Sequence, residues 1–310
     1  MIINSTRALA AAAAVLALAG TAACGTVGGK AADGATHLPS GPASAPASSG
    51  SAQGLDVTPA ALLIKASDKT GAAKSARIQE TITAPTGQQV TEDGEISWAN
   101  GLLGTMQVQL PAAISGKLGT DGKADAQILS DAMYVNMHLS GAMLSQLGGK
   151  HWIRYPYADL AKAMGASGNS IKDGFKNADP VAAVRMAIAS GKITKVGTDT
   201  VNGAPATHYS GDLTLDDLAG GNKLLEQGQI QALRQQLTAA GVTSDHIEVW
   251  VNGDNLLVKK VEQADSKNGR VDVTVLYSDY GVQVQTDPPA ASDTIDLSEL
   301  TGQSKQPAIN

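Results

Sequence analysis

Residues 246–277 read HIEVWVNGDNLLVKKVEQADSKNGRVDVTVLY, and this stretch decides the fold class. Apolar and polar side chains alternate through most of it, which is typical of strands whose two faces meet different surroundings. Two groups of turn residues, 252–255 and 267–269, interrupt the alternation at the spacing of hairpin connections. The pattern predicts a three-stranded antiparallel meander, with strands at 246–251, 256–264 and 270–280.

The same pattern extends upstream and predicts eight further strands. They are expected at residues 77–84, 89–98, 103–110, 125–129, 133–139, 151–155, 192–201 and 205–213. The pair Asn202-Gly203, between the last two, is a strong signal for a two-residue hairpin turn. Helices are expected to begin at Thr58-Pro59 and Asp179-Pro180, where a capping side chain precedes a proline, and to span residues 223–240.

Together the predicted elements indicate an α+β fold. About ten or eleven antiparallel strands carry helices inserted in two or three places, and no linker composition occurs between Thr58 and Asp287. We therefore expect one domain at residues 55–287 and a C-terminal tail at residues 288–310.

A removable export signal is predicted at residues 1–23. Arg7 supplies a positive charge, residues 8–19 are apolar, and small residues lead to Cys24. An apolar stretch of that length is too short to cross about 30 Å of hydrocarbon comfortably and is typical of a signal peptide. The run Thr21-Ala22-Ala23-Cys24 resembles a bacterial lipobox, although Thr21 stands where leucine is usual. The sequence therefore predicts lipid modification of Cys24, the alternative being an ordinary secretory signal with a cysteine there by chance.

Residues 24–54 are expected to form a flexible tether behind the lipidated cysteine. They are rich in glycine, alanine, serine and proline and contain almost no bulky apolar side chain, so ordering them would not be offset by burial. Acyl chains on Cys24 would anchor the protein to the extracytoplasmic face of the cell membrane, and the tether would let the domain stand away from it.

Composition excludes several classes of partner and site. The formal net charge of −6 argues against nucleic acid, which is bound through lysine and arginine. A single cysteine excludes an intramolecular disulfide and a cysteine-rich zinc site. Aromatic residues make up only 3% of the chain, so the core must be mainly aliphatic. This composition fits either an alanine-rich genome or an aliphatic cavity.

Several short phrases carry a family resemblance. They are AMYVNM at 132–137, GKHWI at 149–153, VGTDTVNG at 196–203 with THY at 207–209, and IEVWVN at 247–252. With the lipobox and the tether, they resemble the actinobacterial LppX/LprG lipoproteins and, more distantly, LolA. The resemblance covers about residues 56–285. It implies a curved antiparallel half-barrel sheet that is covered by a few helices and encloses an apolar cavity, in which family members carry lipids or lipoglycans.

Alternation along the predicted strands selects candidate cavity-lining side chains, because every second residue shares a face. They are Met133, Val135, Met137, Leu139, Ile247, Val249, Val251, Val273 and Val275. A sheet curved around a lipid would present such rows inward, and a dry core would be filled by the same rows.

The sequence predicts no catalytic residue, no metal site and no cofactor. The usual nucleophile, phosphate-binding, dinucleotide-binding and zinc-protease motifs are missing from it. Met133, Met137 and Met143 offer soft ligands, but His138 is expected on the opposite strand face, so convergence on one ion is poor.

Two functions therefore stand as expectations. The first is a membrane-anchored carrier that binds a lipid or another acyl-chain ligand in its cavity. The second is a sensory or interaction lipoprotein whose curved sheet binds another envelope protein and has no lipid cargo.

Replacing Cys24 by serine tests the anchor, because serine offers no thiol for the diacylglyceryl group. We expect the Cys24→Ser chain to lose lipid modification and to be left unprocessed by the lipoprotein peptidase or shed into the medium. Metabolic labelling with a radioactive fatty acid and fractionation of the cells measure both effects. A processed Cys24→Ser chain in the membrane fraction would contradict the lipobox interpretation.

Overall fold

Twelve strands form one open sheet in the computed structural model of this protein. The structure describes residues 58–159, 181–189, 191–214, 241–266 and 269–303, together with positions 216, 231, 234 and 238. The strands are β1 Ser75–Thr83, β2 Gln89–Ser97, β3 Leu103–Gln109, β4 Lys123–Ile128, β5 Ala132–Asn136, β6 Trp152–Pro156, β7 Thr194–Val201, β8 Ala204–Thr214, β9 Val242–Asn252, β10 Leu257–Ser266, β11 Gly269–Ser278 and β12 Thr294–Asp296. The helices are α1 Pro59–Ala73, α2 Ala112–Leu118, α3 Gly141–Gln146, α4 Ala182–Ala189 and α5 Leu297–Gln303, with a 3₁₀ turn at Ala291–Asp293.

The sheet consists of two meanders joined along one pair of strands. Its order is β12-β6-β5-β4-β3-β2-β1-β11-β10-β9-β8-β7, so β1–β6 run consecutively in one half and β7–β11 in the other. The halves meet where β1 pairs antiparallel with β11, from Arg77 opposite Ser278 to Thr83 opposite Asp272. Every other pair of neighbours is antiparallel except β12 with β6, which are parallel.

Helices cover one face of the sheet, which we call the inner face. A single apolar cluster joins inward strand residues such as Ile78, Val108 and Ile247 to helical residues such as Leu63 of α1 and Val184 of α4. The opposite, outer face carries a small second cluster of Val201, Ala206 and Trp250. The two-residue alternation of the strands thus separates a large covered core from a mainly polar surface.

Turn chemistry sets the hairpin registers. Asn202 and Gly203 adopt positive φ angles of 50° and 78°, as the predicted two-residue turn between β7 and β8 requires. Between β9 and β10, the Asn252 side chain accepts hydrogen bonds from the backbone N–H groups of Asp254 and Leu256, at 3.0 and 2.9 Å. Both turns were predicted and both are confirmed.

The first helix begins where the sequence predicts. The Thr58 hydroxyl accepts a hydrogen bond from the Ala61 N–H at 3.3 Å, and Pro59 occupies the first turn. Thr70, near the end of α1, is buried and accepts a hydrogen bond from the Leu257 N–H at 3.0 Å, which ties the helix to β10. Residues 223–240, predicted as a helix, lie outside the described residues apart from positions 231, 234 and 238, which are helical.

The predicted α+β class, with an open and mainly antiparallel sheet, is confirmed, but three details differ. The sheet has twelve strands instead of ten or eleven, because residues 294–296 of the expected tail pair with β6 and bury Ile295. The short helices α2, α3 and α5 were not predicted, since six or seven residues give little periodicity. Strand β5 ends at Asn136, whose side chain accepts a hydrogen bond from the His138 N–H at 2.9 Å while His138 takes a φ of 51°.

None of the described helices is long and apolar enough to cross a membrane.

A glycine in β2 marks a place where two strands approach closely. A Cβ atom added to Gly94 would lie 2.8 Å from the Met106 Cα and still closer to the Thr105 carbonyl oxygen of β3. Glycine inside a strand commonly marks a bend or a close approach of backbones. Gly94 therefore lets β3 pack against β2 at this point of the sheet.

Replacing Gly94 by alanine should force the β2 and β3 backbones apart and destabilise the domain by about 1–3 kcal/mol. Gly71→Ala is the matched control, because nothing lies within 4 Å of a Cβ at that helical position. The control should be neutral or stabilising by up to about 1 kcal/mol. Thermal or urea denaturation of both variants measures the difference, and equal midpoints would contradict the close approach at Gly94.

Candidate functional site

The nine residues predicted to line a cavity lie on the inner face. Eight of them are buried in the large apolar cluster: Met133, Val135, Met137, Leu139, Ile247, Val249, Val251 and Val275. Val273 is partly buried and packs against the same cluster. Met137 and Leu139 reach it from beyond the end of β5, so the strand alternation extends only as far as Asn136.

These residues share a face without being neighbours. Val135 on β5 lies between Ala126 of β4 and Ile153 of β6. Ile247 and Val249 lie on β9, seven strands away in the sheet order. The predicted residues therefore belong to one continuous apolar face that extends across both meanders.

Ionisable residues interrupt this apolar face near the junction of the two meanders. Five ionisable side chains point inward from β1, β2, β9 and β10, and we call them the inner ionisable cluster. They are Glu80, Glu92, Asp245, Lys260 and Glu262. Glu80 lies directly opposite Glu92 on one side and Val275 on the other, and Val275 lies opposite Lys260. The cluster therefore forms a polar band within rows of apolar residues.

An ion pair occupies the β10 end of this band. The Lys260 Nζ donates to a Glu262 carboxylate oxygen at 3.0 Å, and both side chains are largely buried. Burial is the largest single influence on the pKa of Lys260 and lowers it, but the charge and hydrogen bond of Glu262, together with Tyr277 and Glu80, outweigh burial, so the pKa of Lys260 lies above its usual range. Lys260 is therefore charged throughout the physiological range, and Glu262 compensates its charge.

The other three acids are held in their protonated forms by burial. Burial raises the pKa of Glu80 to about 8 against the opposing effect of Lys260. Burial and the neighbouring Glu80 raise the pKa of Glu92 well above its usual range. Burial, followed by the charge of Glu262, raises the pKa of Asp245 to about 9. At neutral pH the cluster thus contains one ion pair and three uncharged carboxyl groups.

Several oxygens of these acids have no hydrogen-bond donor in the described structure. They are Glu80 Oε1, both carboxyl oxygens of Glu92 and both of Asp245. A protonated Asp245 can donate to the nearby Glu262 carboxylate, a contact that also favours its neutral form. Buried polar atoms in folded proteins nearly always have partners, so this concentration of exceptions distinguishes the band from the rest of the core.

Our sequence prediction missed this cluster, although a signal was present. Glu80 and Glu92 lie at inward positions of strands whose other inward residues are apolar, such as Ile78, Ile82 and Val90. On β10 a register irregularity between Leu257 and Lys259 shifts the alternation, so the sequence alone does not show that Lys260 faces inward.

Candidates for other chemistry are dispersed. His138 lies on the other side of β4, where its Nε2 is 2.8 Å from Asp125 and its Nδ1 is 3.4 Å from Asp121. Within the residues that the structure describes, no group of three or more histidine, cysteine or acidic side chains has the geometry to hold a metal ion.

The raised pKa values predict that the domain loses stability as pH rises. Between pH about 4.5 and about 8 the unfolded chain has lost the Glu80 proton that the folded protein still holds, and Asp245 acts in the same direction up to about pH 9. Because the folded state binds more protons, unfolding becomes easier as pH increases. We expect the Tm to fall by at least about 5 °C from pH 5 to pH 8.5.

Three ionisable side chains face Glu80, namely Glu92, Lys260 and Glu262. The Tm of the wild-type chain therefore reports the titration of Glu80 with all three in place. A triple variant, Glu80→Gln, Glu92→Gln and Asp245→Asn, removes the three protons and should flatten the pH dependence. Differential scanning calorimetry of both chains across this pH range measures it. A wild-type Tm that is constant or increases with pH would contradict the protonated state of the cluster.

Comparisons with known proteins show that the chain is similar to two proteins of Streptomyces. No protein-family model matches it. It is 41% identical over 250 residues to an uncharacterised 31.2 kDa protein of Streptomyces griseus, covering 79% of this chain and 81% of that protein. It is 32% identical over 292 residues to SCO4650 of Streptomyces coelicolor, a protein named as a candidate lipoprotein, with 92% of each chain covered.

Among solved structures, the fold is similar to two mycobacterial proteins. LprF of Mycobacterium bovis matches with a TM-score of 0.44 and 15% identity, over 75% of this chain and 97% of LprF. The lipoprotein LppX of Mycobacterium tuberculosis matches with a TM-score of 0.43 and 14% identity, over 74% of this chain and all of LppX. The identities to the two Streptomyces proteins, each over most of both chains, show that this chain belongs to their family, which includes the candidate lipoprotein SCO4650.

Proposed function

We propose that this protein is a membrane-anchored lipoprotein that carries a lipid, with the acyl chains of the lipid held against the inner face of the sheet. One observation carries the proposal: a single apolar cluster extends along the inner face across both meanders and is covered by helices. Acyl chains bind through non-directional burial, so a long and mainly aliphatic face is the surface that such a ligand needs.

The energetics favour a ligand of this kind. Each buried methylene group contributes about 0.8 kcal/mol, so one long acyl chain offers on the order of 10 kcal/mol before the costs of binding. Side chains on both halves of the face would supply the contacts, including Met133 and Val135 of β5 and Ile247 and Val249 of β9. Because these side chains are buried under the helices, lipid entry requires the cover to move.

The predicted anchor agrees with this function. Acyl chains on Cys24 would keep the carrier at the extracytoplasmic face of the membrane, where its cargo is taken up or delivered. The tether at residues 24–54 would let the domain reach away from the bilayer. Cys24 and the tether lie outside the described residues, so both stay predictions.

The rival function is binding of an envelope protein through the surface of the domain. In the described part of the chain, only Ile64 and Val196 are large apolar side chains with substantial exposure. Val196 lies on β7, which is an edge of the sheet and carries a register irregularity between Lys195 and Gly197 that disfavours addition of another strand. Within the described residues the apolar surface is therefore mainly internal, which favours a lipid over a protein partner.

Native mass spectrometry of the Cys24→Ser chain that is shed into the medium, without the apolar segment at residues 8–19, tests the carrier function. This variant lacks the predicted anchor, so any lipid that remains with the purified protein is cargo. We expect the protein to carry the additional mass of one lipid, and extraction with organic solvent should release a molecule with at least one long acyl chain.

A pair of tryptophan variants locates the binding face. Ala126 of β4 is buried between Met106 and Val135, so Ala126→Trp places an indole ring on the inner face, whereas Gln107→Trp places one on the exposed outer face. We expect Ala126→Trp to lose most of the lipid and Gln107→Trp to keep it, with both chains folded by circular dichroism. A lipid-free wild type that instead captures an envelope protein, combined with an unfolded Ala126→Trp chain, would replace the carrier function with partner binding.

A further inference from the structure

The inner ionisable cluster contains one ion pair beside buried carboxyl oxygens that have no partner, so it is not a complete salt-bridge network. Glu92 is only 3% exposed, yet neither of its carboxyl oxygens has a hydrogen-bond partner in the described structure. Its neighbour across the strands is another acid, Glu80, and the Lys260 Nζ is hydrogen-bonded to Glu262. Unpartnered buried carboxyl oxygens destabilise a fold, so retaining them indicates a role in binding.

The position of the cluster identifies what it would contact. The Glu80–Glu92 pair has apolar inner-face residues on both sides along its strands, Ile78 and Ile82 on β1 and Val90 and Ile96 on β2. A molecule that lies along the inner face therefore meets apolar surface, a polar band and apolar surface again. This sequence of surfaces matches an amphiphile whose polar group lies beside its acyl chains.

We propose that Glu80 and Glu92, with the neighbouring Lys260–Glu262 pair, bind the uncharged, hydroxyl-bearing head group of a lipid. This inference rests on the proposed carrier function and specifies the polar part of its cargo. A hydroxyl group both donates and accepts hydrogen bonds, as an uncharged carboxyl group does, so the two are complementary.

Charge complementarity selects an uncharged head over an ionic one. An anionic head such as a phosphate would meet several acids and a single lysine whose charge Glu262 already compensates. A cationic head would compete with the Lys260 ammonium and would require Glu80 or Glu92 to lose a proton in a buried setting, which their raised pKa values oppose. A metal ion lacks a suitable group of ligands here, since the described side chains form no such cluster.

Four ligands with the same hexadecanoyl or hexadecyl chain separate these possibilities. They are monopalmitoylglycerol, methyl palmitate, palmitate and hexadecyltrimethylammonium, which carry a hydroxylated, an ester, an anionic and a cationic head. Displacement of a fluorescent fatty-acid probe from the Cys24→Ser chain gives each Kd. We expect monopalmitoylglycerol to bind about tenfold more tightly than methyl palmitate, because two additional hydrogen bonds are made, and more tightly than either ion.

Two substitutions at Glu92 assign the difference to this residue. Glu92→Gln keeps a neutral group that donates and accepts, so it should preserve the tenfold preference. Glu92→Leu removes the hydrogen bonds of one of the two acids, so the preference should fall well below tenfold through weaker binding of monopalmitoylglycerol alone. Glu95→Leu, on the outer face of the same strand, is the matched control and should change neither Kd. Thermal denaturation confirms that each variant folds; if Glu92→Leu does not, Glu92→Met replaces it.

Each result decides between the proposals. A preference that stays tenfold in Glu92→Leu, or is lost in Glu92→Gln, overturns the role of Glu92. Binding of methyl palmitate in either case leaves the carrier function intact. If the cationic ligand binds most tightly and the Glu92→Gln variant loses that binding, the cluster is a cation site. Tightest binding of palmitate would make it an anion site. If methyl palmitate and monopalmitoylglycerol both fail to bind, the carrier function falls and the head-group site with it.

Discussion

The antiparallel ladder between β1 and β11 is the interaction on which the rest of the structure depends. It pairs strands from the two ends of the domain, from Arg77 with Ser278 to Thr83 with Asp272, and among the strands that the structure describes it is the only direct pairing between the two meanders. Pairing β1 with β11 closes a long loop of chain between them. The entropy cost of closing a loop grows only slowly with its length, and seven consecutive residue pairs offset that cost. Each meander by itself would expose an apolar face, whereas the joined sheet presents one continuous face that the helices can cover.

The same ladder creates the polar band. Glu80 lies on β1 and Lys260 on β10, and they come within electrostatic reach only because β11 lies between them with Val275 in register with both. The polar band destabilises the folded state relative to an apolar core. Removing charges from water is unfavourable, and replacing a buried ion pair with apolar residues is often neutral or stabilising. Removing Lys260 alone would leave the largely buried Glu262 without its cationic partner, so loss of one member of the pair should be more destabilising than loss of both. Stability alone therefore gives no reason for five ionisable side chains in the core.

Much of the fold was predictable because it depends on local signals. Asn202-Gly203 determines a hairpin through its two positive φ angles, Thr58 caps a helix, and the alternation in residues 246–277 separates inner from outer side chains. What could not be predicted depends on distant partners or on irregularities. Residues 294–296 become a strand only because β6 offers a free edge, and three residues carry no detectable period of their own. Lys260 faces inward only because of the irregularity between Leu257 and Lys259, which the sequence does not reveal.

A polar band in the middle of an apolar face also changes what a carrier can distinguish. A face lined only with Met133, Val135, Ile247 and similar residues would bind long acyl chains tightly, but it would accept any head group and any position of the chain along the face. Buried groups that need hydrogen-bond partners discriminate more strongly, because a ligand that lacks the matching group leaves them unpaired and bears the cost. In the proposed complex, Glu80 and Glu92 would convert the cost of unpartnered carboxyl groups in the free protein into selectivity for the cargo. The unpartnered carboxyl groups would also destabilise the closed, cargo-free state of the domain. A carrier whose covering helices must move to admit a lipid needs a closed state that opens easily.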